Sequence, residues 1–220
     1  SSFGLTRPIV IHSAVAEPQE YRSSTYAFQR GDLLQFDTGV KYLNFGTDMK
    51  RNAYLLREGE TALPEDIRHA WDEGRRARDI MRRNIRTGRT ARDTLAVVVA
   101  ALEAEGFVYT PFVNFGDIDR QIVESFDQPN ATGISIDCHV VGNTGNSQVA
   151  VGPSFAPFRE LRADLMIQSN NIFSFEFITH TALPSFGNRR LRINFEDNVI
   201  VTNQGVELLY PRNERILLIR

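Results

Sequence analysis

Apolar residues recur along the chain with two different periods, and the switches between them divide the sequence into ribbons and helices. A short β-like run, IVIHSAV (Ile9 to Val15), follows Pro8. A polar, turn-rich stretch from Glu17 to Arg30 separates it from a second strand that begins near Leu33, in GDLLQFDTGVKY. Leu43-Asn44 then suits a two-residue hairpin loop, because Asn tolerates the left-handed backbone such turns need. Next the period changes. Behind Pro64, a residue welcome in a first helical turn, Ile67, Trp71, Met81 and Ile85 recur at helical spacing. A second helix opens at Thr90, with Asp93 as a capping-box-like partner, and runs through Leu95, Val98, Val99 and Leu102 to Gly106. After a loop-rich span the β pattern returns in GISIDCHVVG, IFSFEFITH, LRINFEDNVIVTN and VELLY, with Asn203-Gln204-Gly205 as a hairpin turn. Helices set between antiparallel ribbons predict an α+β domain in which helices cover one face of a sheet.

Composition narrows this only a little. The 220 residues, 42% of them hydrophobic, suffice for a real core, so a single domain over residues 1–220 is expected. Net charge is −2, which predicts no strong attraction to nucleic acid or to anionic membrane. The first helix does carry a basic face of Arg75, Arg76, Arg78, Arg82 and Arg83, and such a run is most often a solvated surface. No apolar run of about 18 residues is present to span a bilayer. The single cysteine, Cys138, excludes an internal disulfide and fits a reducing, cytoplasmic setting. The opening SSFGLTRPIVIH reads as the lead-in to a strand, so further sequence upstream is expected.

The chemistry begins in the hairpin, DTGVKYLNFGTDMKR. Carboxylates are depleted in strands, yet Asp37 and Asp48 both lie in this ribbon. With Leu43 and Asn44 as the loop, Tyr42 pairs with Phe45 and Gly39 lies opposite Asp48. Asp37 then shares a face with Asp48 and sits diagonal to it, about 7–8 Å away, with no side chain at Gly39 to fill the gap. Two anions held together require a positive partner. That partner is either a metal ion or one of Lys41, Lys50 and Arg51. Three more acid or imidazole groups sit inside apolar strands. His139 lies in SIDCHVVG. Glu176 points with Ser174 away from Phe173, Phe175 and Phe177, and Glu196 alternates with Ile193 and Phe195. Taken singly, such a glutamate usually faces solvent and such a histidine is usually a satisfied core residue. As a set, four carboxylates and one imidazole suit a dinuclear site for hard or borderline divalent ions.

These motifs carry a resemblance. DTGVKYLNFGTDMKR resembles the D-x-G…S-D-M-T-R ribbon of the pita-bread metallopeptidases, the family of methionine aminopeptidase, aminopeptidase P, prolidase and creatinase. CHVVG resembles that family's G-H-G-I-G strand and FSFEFIT its T-I-E-P-G strand. RINFEDNVIVTNQGVELL resembles its R-I-E-D-x-V-x-V-T…G-x-E-x-L ending, and the match runs in order from about Ile9 to Pro211. The resemblance implies a curved antiparallel sheet covered by helices and two divalent metal ions (manganese, cobalt or zinc). It also implies a short-peptide substrate cut near its N-terminus, or at an Xaa-Pro bond, and a homodimer. By the same resemblance Asp37, Asp48, His139, Glu176 and Glu196 would be the metal ligands, with Asp48 and Glu196 bridging. Glu176 would also take a proton from the attacking water.

Departures from the pattern bear on activity. Seven residues after His139, where active peptidases carry a second histidine, stands Asn146. A loop histidine expected before the first Asp is replaced by Glu20, unless His12 serves there. Phe177 and Ile178 replace the proline and glycine after the first Glu. His180, on the strand side of Glu176, could restore a lost donor. The family's domain also begins with helices that would precede Ser1. A catalytically impaired homologue acting as a metal-, ligand- or protein-binding module is the alternative these losses imply, and a metal-free, creatinase-like relative is a third.

Overall fold

In the computed structural model, the structure describes residues 3–5, 9–14, 27–43, 45–111, 128, 130–143, 152–187 and 189–220, with the backbone alone at 3–5, 9–14, 143, 186 and 189. Two helices lie against a large, almost wholly antiparallel sheet. Its strands are β2 (Ile9–Ala14), β3 (Asp32–Thr38), β6 (Met49–Leu55), β9 (Cys138–Val140), β11 (Ser154–Phe155), β12 (Ile172–Leu183) and β13 (Arg189–Thr202), in the lateral order β11-β9-β12-β13-β6-β3-β2. A smaller sheet joins β1 (Phe3–Leu5), β4 (Val40–Tyr42), β5 (Phe45–Gly46) and β10 (Gly142–Asn143). At its margins the large sheet gains β7 (Val108–Tyr109), β8 (Gly133–Ile136), β14 (Gly205–Leu208) and β15 (Leu217–Ile219). Of these, β15 runs parallel to β6, which the sequence pattern does not announce.

The hairpin register follows the turn chemistry. Tyr42 pairs with Phe45 and Lys41 with Gly46, and Leu43 takes positive φ at 46°. The same register continues beyond the Gly39 break, where Thr38 pairs with Met49 and Asp37 with Lys50. The ribbon therefore bends from the small sheet into the large one without slipping, and every side chain keeps its assigned face.

Helix α1 (Glu65–Asn84) packs on β12, β13 and β14, and helix α2 (Ala91–Ala104) packs on α1. Thr90 caps α2 by accepting a hydrogen bond from the Asp93 amide, as the motif predicts. Facing the helices, Phe173, Phe175 and Phe177 on β12 and Phe195 on β13 are buried. Phe195 is stacked between Phe177, at a centroid distance of 5.0 Å, and Trp71 of α1, at 4.6 Å. Gly74 is the residue that lets the helix approach so closely: a Cβ there would stand 2.0 Å from the Phe195 ring. Phe177 thus belongs to the core, and its departure from the family motif leaves the opposite face untouched.

The basic helix face is solvated only in part: Arg76 and Arg83 are exposed, and Arg75 and Arg82 are half-buried. Arg78 is among the most buried side chains of the protein, donating to the Asn213 carbonyl and to Glu214. Arg82 donates to the Val206 carbonyl, and Arg76 lies over the Phe107 ring. Arg78 and Arg82 tie α1 to the C-terminal segment, while Arg76 packs beside the end of α2. Among the described residues, no helix is long and apolar enough to cross a membrane.

Candidate functional site

On the sheet face turned away from the helices, the ladders of β3, β6, β13 and β12 line up one residue from each strand. Asp37 pairs with Lys50, Lys50 with Glu196, and Glu196 with Glu176. The row is acid, base, acid, acid. Two glutamates directly opposite each other repel, so the row depends on what stands between them.

What stands there is Lys50. Its Nζ lies 2.5 Å from Glu176 Oε1, 2.7 Å from Glu196 Oε2 and 3.3 Å from Asp37 Oδ2, with the side chain buried. Burial works against the ammonium, but Glu176, Glu196 and Asp37 outweigh it and hold the Lys50 pKa well above its ordinary value. Asp48 completes the cluster from beyond the bend. Its backbone is held by Asn198, whose amide accepts from the Asp48 N–H at 3.1 Å and donates to its carbonyl at 2.6 Å. Only Lys50 and Glu196 pair as backbone neighbours between β6 and β13, and buried amides supply the remaining links. Asn52 donates to the Asn194 carbonyl, and Gln35 binds the Asn194 N–H and the Arg192 carbonyl. These buried amides satisfy backbone groups the ladder leaves open, although the Asn52 Oδ1 atom itself has no hydrogen-bond partner among the described residues.

His139 enters from β9, opposite Ser174 of β12. Its Nδ1 is 3.3 Å from the Val140 carbonyl, and its Nε2 stands 3.8 Å from Glu176 Oε2 and 3.9 Å from Asp48 Oδ2. The tautomer that donates from Nδ1 leaves the Nε2 lone pair aimed at the carboxylates, which is how a metal-binding imidazole is held. Burial, more than any nearby charge, lowers the His139 pKa and keeps the ring neutral. The carboxyls respond to crowding. Burial first, then Glu196 and Asp37, push Asp48 up to about 8. Burial and Glu176 raise Glu196 to about 8, and burial raises Glu176 to about 7 against the pull of Lys50. Ser174 donates a hydrogen bond to Glu196 Oε1, fixing that carboxyl.

The five residues assigned as ligands from the sequence therefore converge on one patch. Among the described residues, two overlapping sets have donor atoms close enough to hold an ion: Asp48, His139 and Glu196, and Asp137, His139 and Glu176. Asp137 went unrecognised in the sequence. It sits at the gap between β8 and β9, its amide bonds to the Glu176 carbonyl, and Arg159 grips its carboxylate at 2.9 and 3.2 Å. In the sequence Lys50 reads only as one of three salt-bridge partners, with Lys41 and Arg51. The signal for its position was present, because the hairpin register that made Asp37 and Asp48 neighbours also puts Lys50 directly opposite Asp37.

The auxiliary residues are less concentrated. His180 shares the Glu176 side of β12 and is buried between Arg192 of β13 and Gly133 of β8. Among the described residues its Nε2 has no hydrogen-bond partner, and burial, assisted by Arg190, lowers its pKa to about 3. Glu20 and Asn146 lie outside the described residues. For His12 the backbone alone is described, pairing with Leu34.

An antiparallel sheet with a carboxylate-imidazole patch on the face away from its two helices is the pita-bread arrangement, the fold of a class of hydrolases. The profile of Metallopeptidase family M24 matches residues 3–203, and the chain belongs to that family. Solved structures agree on the fold. X-Pro aminopeptidase from Thermotoga maritima MSB8 superposes with a TM-score of 0.61 at 19% identity, over 97% of this chain and 49% of that one. Prolidase from Pyrococcus horikoshii OT3 gives a TM-score of 0.60 at 15% identity, over 95% and 49%. Dipeptidase PepE from Mycobacterium ulcerans gives 0.58 at 19% identity, over 97% and 47%. The chain thus spans about half the length of these relatives. No curated protein matches its sequence.

Proposed function

We propose that this chain carries the catalytic half of a metal-dependent peptidase, cleaving a short peptide near its N-terminus or at an Xaa-Pro bond. The observation that carries the reading is the convergence of Asp48, His139, Glu176 and Glu196 on one patch in a member of Metallopeptidase family M24. The donor chemistry fits a divalent ion: two carboxylates and a neutral imidazole, with Nε2 left free by the Nδ1 contact. Asp48, His139 and Glu196 would hold it, with manganese, cobalt or zinc as candidates. When bound, such an ion polarises a carbonyl and makes water acidic enough to ionise near neutral pH. The dinuclear form of the reading needs a second ion among the oxygens around Asp37, where the Lys50 ammonium now stands.

Glu176 has the properties of a proton carrier. Burial raises its pKa towards neutrality against the pull of Lys50, nearer the range in which a general base and acid works best. One of its oxygens is engaged by Lys50 and the other faces His139, which fixes the carboxyl plane. His180 is held neutral and could donate or accept only as an imidazole.

The test is a panel of dipeptides and short peptides, Xaa-Pro sequences included, assayed with added manganese, cobalt or zinc. Turnover that falls on the order of 10²–10⁴-fold in Glu176→Gln supports the reading. Metal-loaded protein that turns over no member of the panel contradicts it, and so does unchanged turnover in the variant.

A further inference from the structure

We infer that the Lys50 ammonium is a built-in cation standing in the Asp37-side half of the centre, so that this chain holds at most one divalent ion there, not two. The inference deepens the peptidase reading by assigning the ion content of its site, and it rests on family membership only for the expectation of two ions.

Three observations lead to it. First, an ammonium has three protons to donate, and three different carboxylates stand within 3.3 Å of this one, each on a separate strand. Nζ donates hydrogen bonds to Glu176 and Glu196 and is ion-paired with Asp37, so a cation placed among the same oxygens would occupy the position of Nζ itself. Second, Lys50 has little freedom to leave. Its backbone lies between Asp37 and Glu196 in the two ladders, and its side chain is buried, so swinging it out would carry an unpaired charge through packed structure. Third, the donors that remain are grouped on the other side. Asp48, His139 and Glu196 lie close enough to share an ion, whereas Asp37 belongs to neither donor group found among the described residues. With Lys50 and one divalent ion, the four carboxylates are neutralised to within a single charge. The motif that the hairpin resembles has Thr where this chain has Lys50, a side chain too short and too neutral to do this.

The experiment counts ions. Metal-free protein is titrated with zinc, and stoichiometry is read by calorimetry and by native mass spectrometry. The wild-type chain is expected to saturate at no more than one zinc, and Lys50→Thr to bind one more than wild type, an increment that Asp37→Asn in the same background removes. Two zinc ions on the wild-type chain would overturn the inference, as would equal counts in wild type and Lys50→Thr. Should Lys50→Thr fail to fold, the wild-type chain still decides the matter. With ¹⁵N-labelled lysine, a buried ammonium signal protected from solvent exchange should persist at saturating zinc, and its disappearance on zinc binding would count against the proposal. None of these readouts involves peptide turnover, so an inactive hydrolase and a wrongly assigned Lys50 give separable results.

Discussion

Replacing Lys50 with methionine keeps most of the stem and removes the charge, leaving Asp37, Asp48, Glu176 and Glu196 to face one another. The size of the effect can be worked out from what the cluster can do in response. Deprived of the ammonium, it restores its charge balance by binding one further proton. Glu176, the carboxyl on which Lys50 pulls most strongly, is the one that takes it up, and holding a glutamate of ordinary pKa 4.5 protonated at pH 7 costs at most about 1.36 kcal/mol for each of the 2.5 intervening pH units, or roughly 3.4 kcal/mol. That agrees with the 3–5 kcal/mol typical of removing one partner from a buried ion pair. The sign with pH follows. The variant's native state holds a proton that its unfolded state releases above about pH 4.5, so its deficit should grow as pH rises from 4.5 to 7 and shrink on acidification. Urea unfolding of both proteins in chelator, at pH 5 and pH 7, measures this. A deficit below about 1 kcal/mol at pH 7, or one indifferent to pH, would refute the reasoning.

Two further predictions concern the scaffold. Gly74→Ala should destabilise the fold by about 1–3 kcal/mol, despite alanine's better helix propensity, because the new Cβ meets a Phe195 ring that Trp71 and Phe177 hold in place; thermal melting reads the sign directly, and a stabilised variant would refute the close approach. His180→Gln should make the protein less sensitive to acid. Burial lowers the folded pKa of His180 to about 3 from an ordinary 6.5, so only the unfolded chain gains a proton between those values. The native state loses about 2 kcal/mol at pH 5 on this account, and the variant should recover that amount relative to its own stability at pH 7.5. Parallel losses in wild type and variant over that range would show His180 to be accessible to protons.

Much of the architecture was legible because the signals were local. Periodicity located both helices, the Thr90 cap marked the start of α2, and the two-residue loop at Leu43-Asn44 set a register that held across the bend to Asp37. The five ligand candidates, each ordinary taken singly, stood out as a set of four carboxylates and one imidazole placed in β-ribbons. Less of the rest was visible, because it depends on contacts between elements distant in sequence. Arg78 reads as surface charge until Glu214 and the Asn213 carbonyl are brought over it. Asp137 reads as an ordinary break between two strands until Arg159 folds back onto it. Lys50 is the instructive case. Its place opposite Asp37 followed from the hairpin register, but its place beside Glu196 and Glu176 required β13 to dock against β6, which happens through a single backbone pairing and a set of buried amides.

The most direct measurement is anomalous diffraction at the zinc edge from crystals equilibrated with zinc. The account predicts a single zinc peak in the cluster, bounded by Asp48, His139 and Glu196, with Lys50 Nζ still hydrogen-bonded to Glu176 and Glu196 and paired with Asp37. Two peaks bridged by Asp48 and Glu196, with Asp37 bound to one of them and Lys50 turned out of the row, would contradict it.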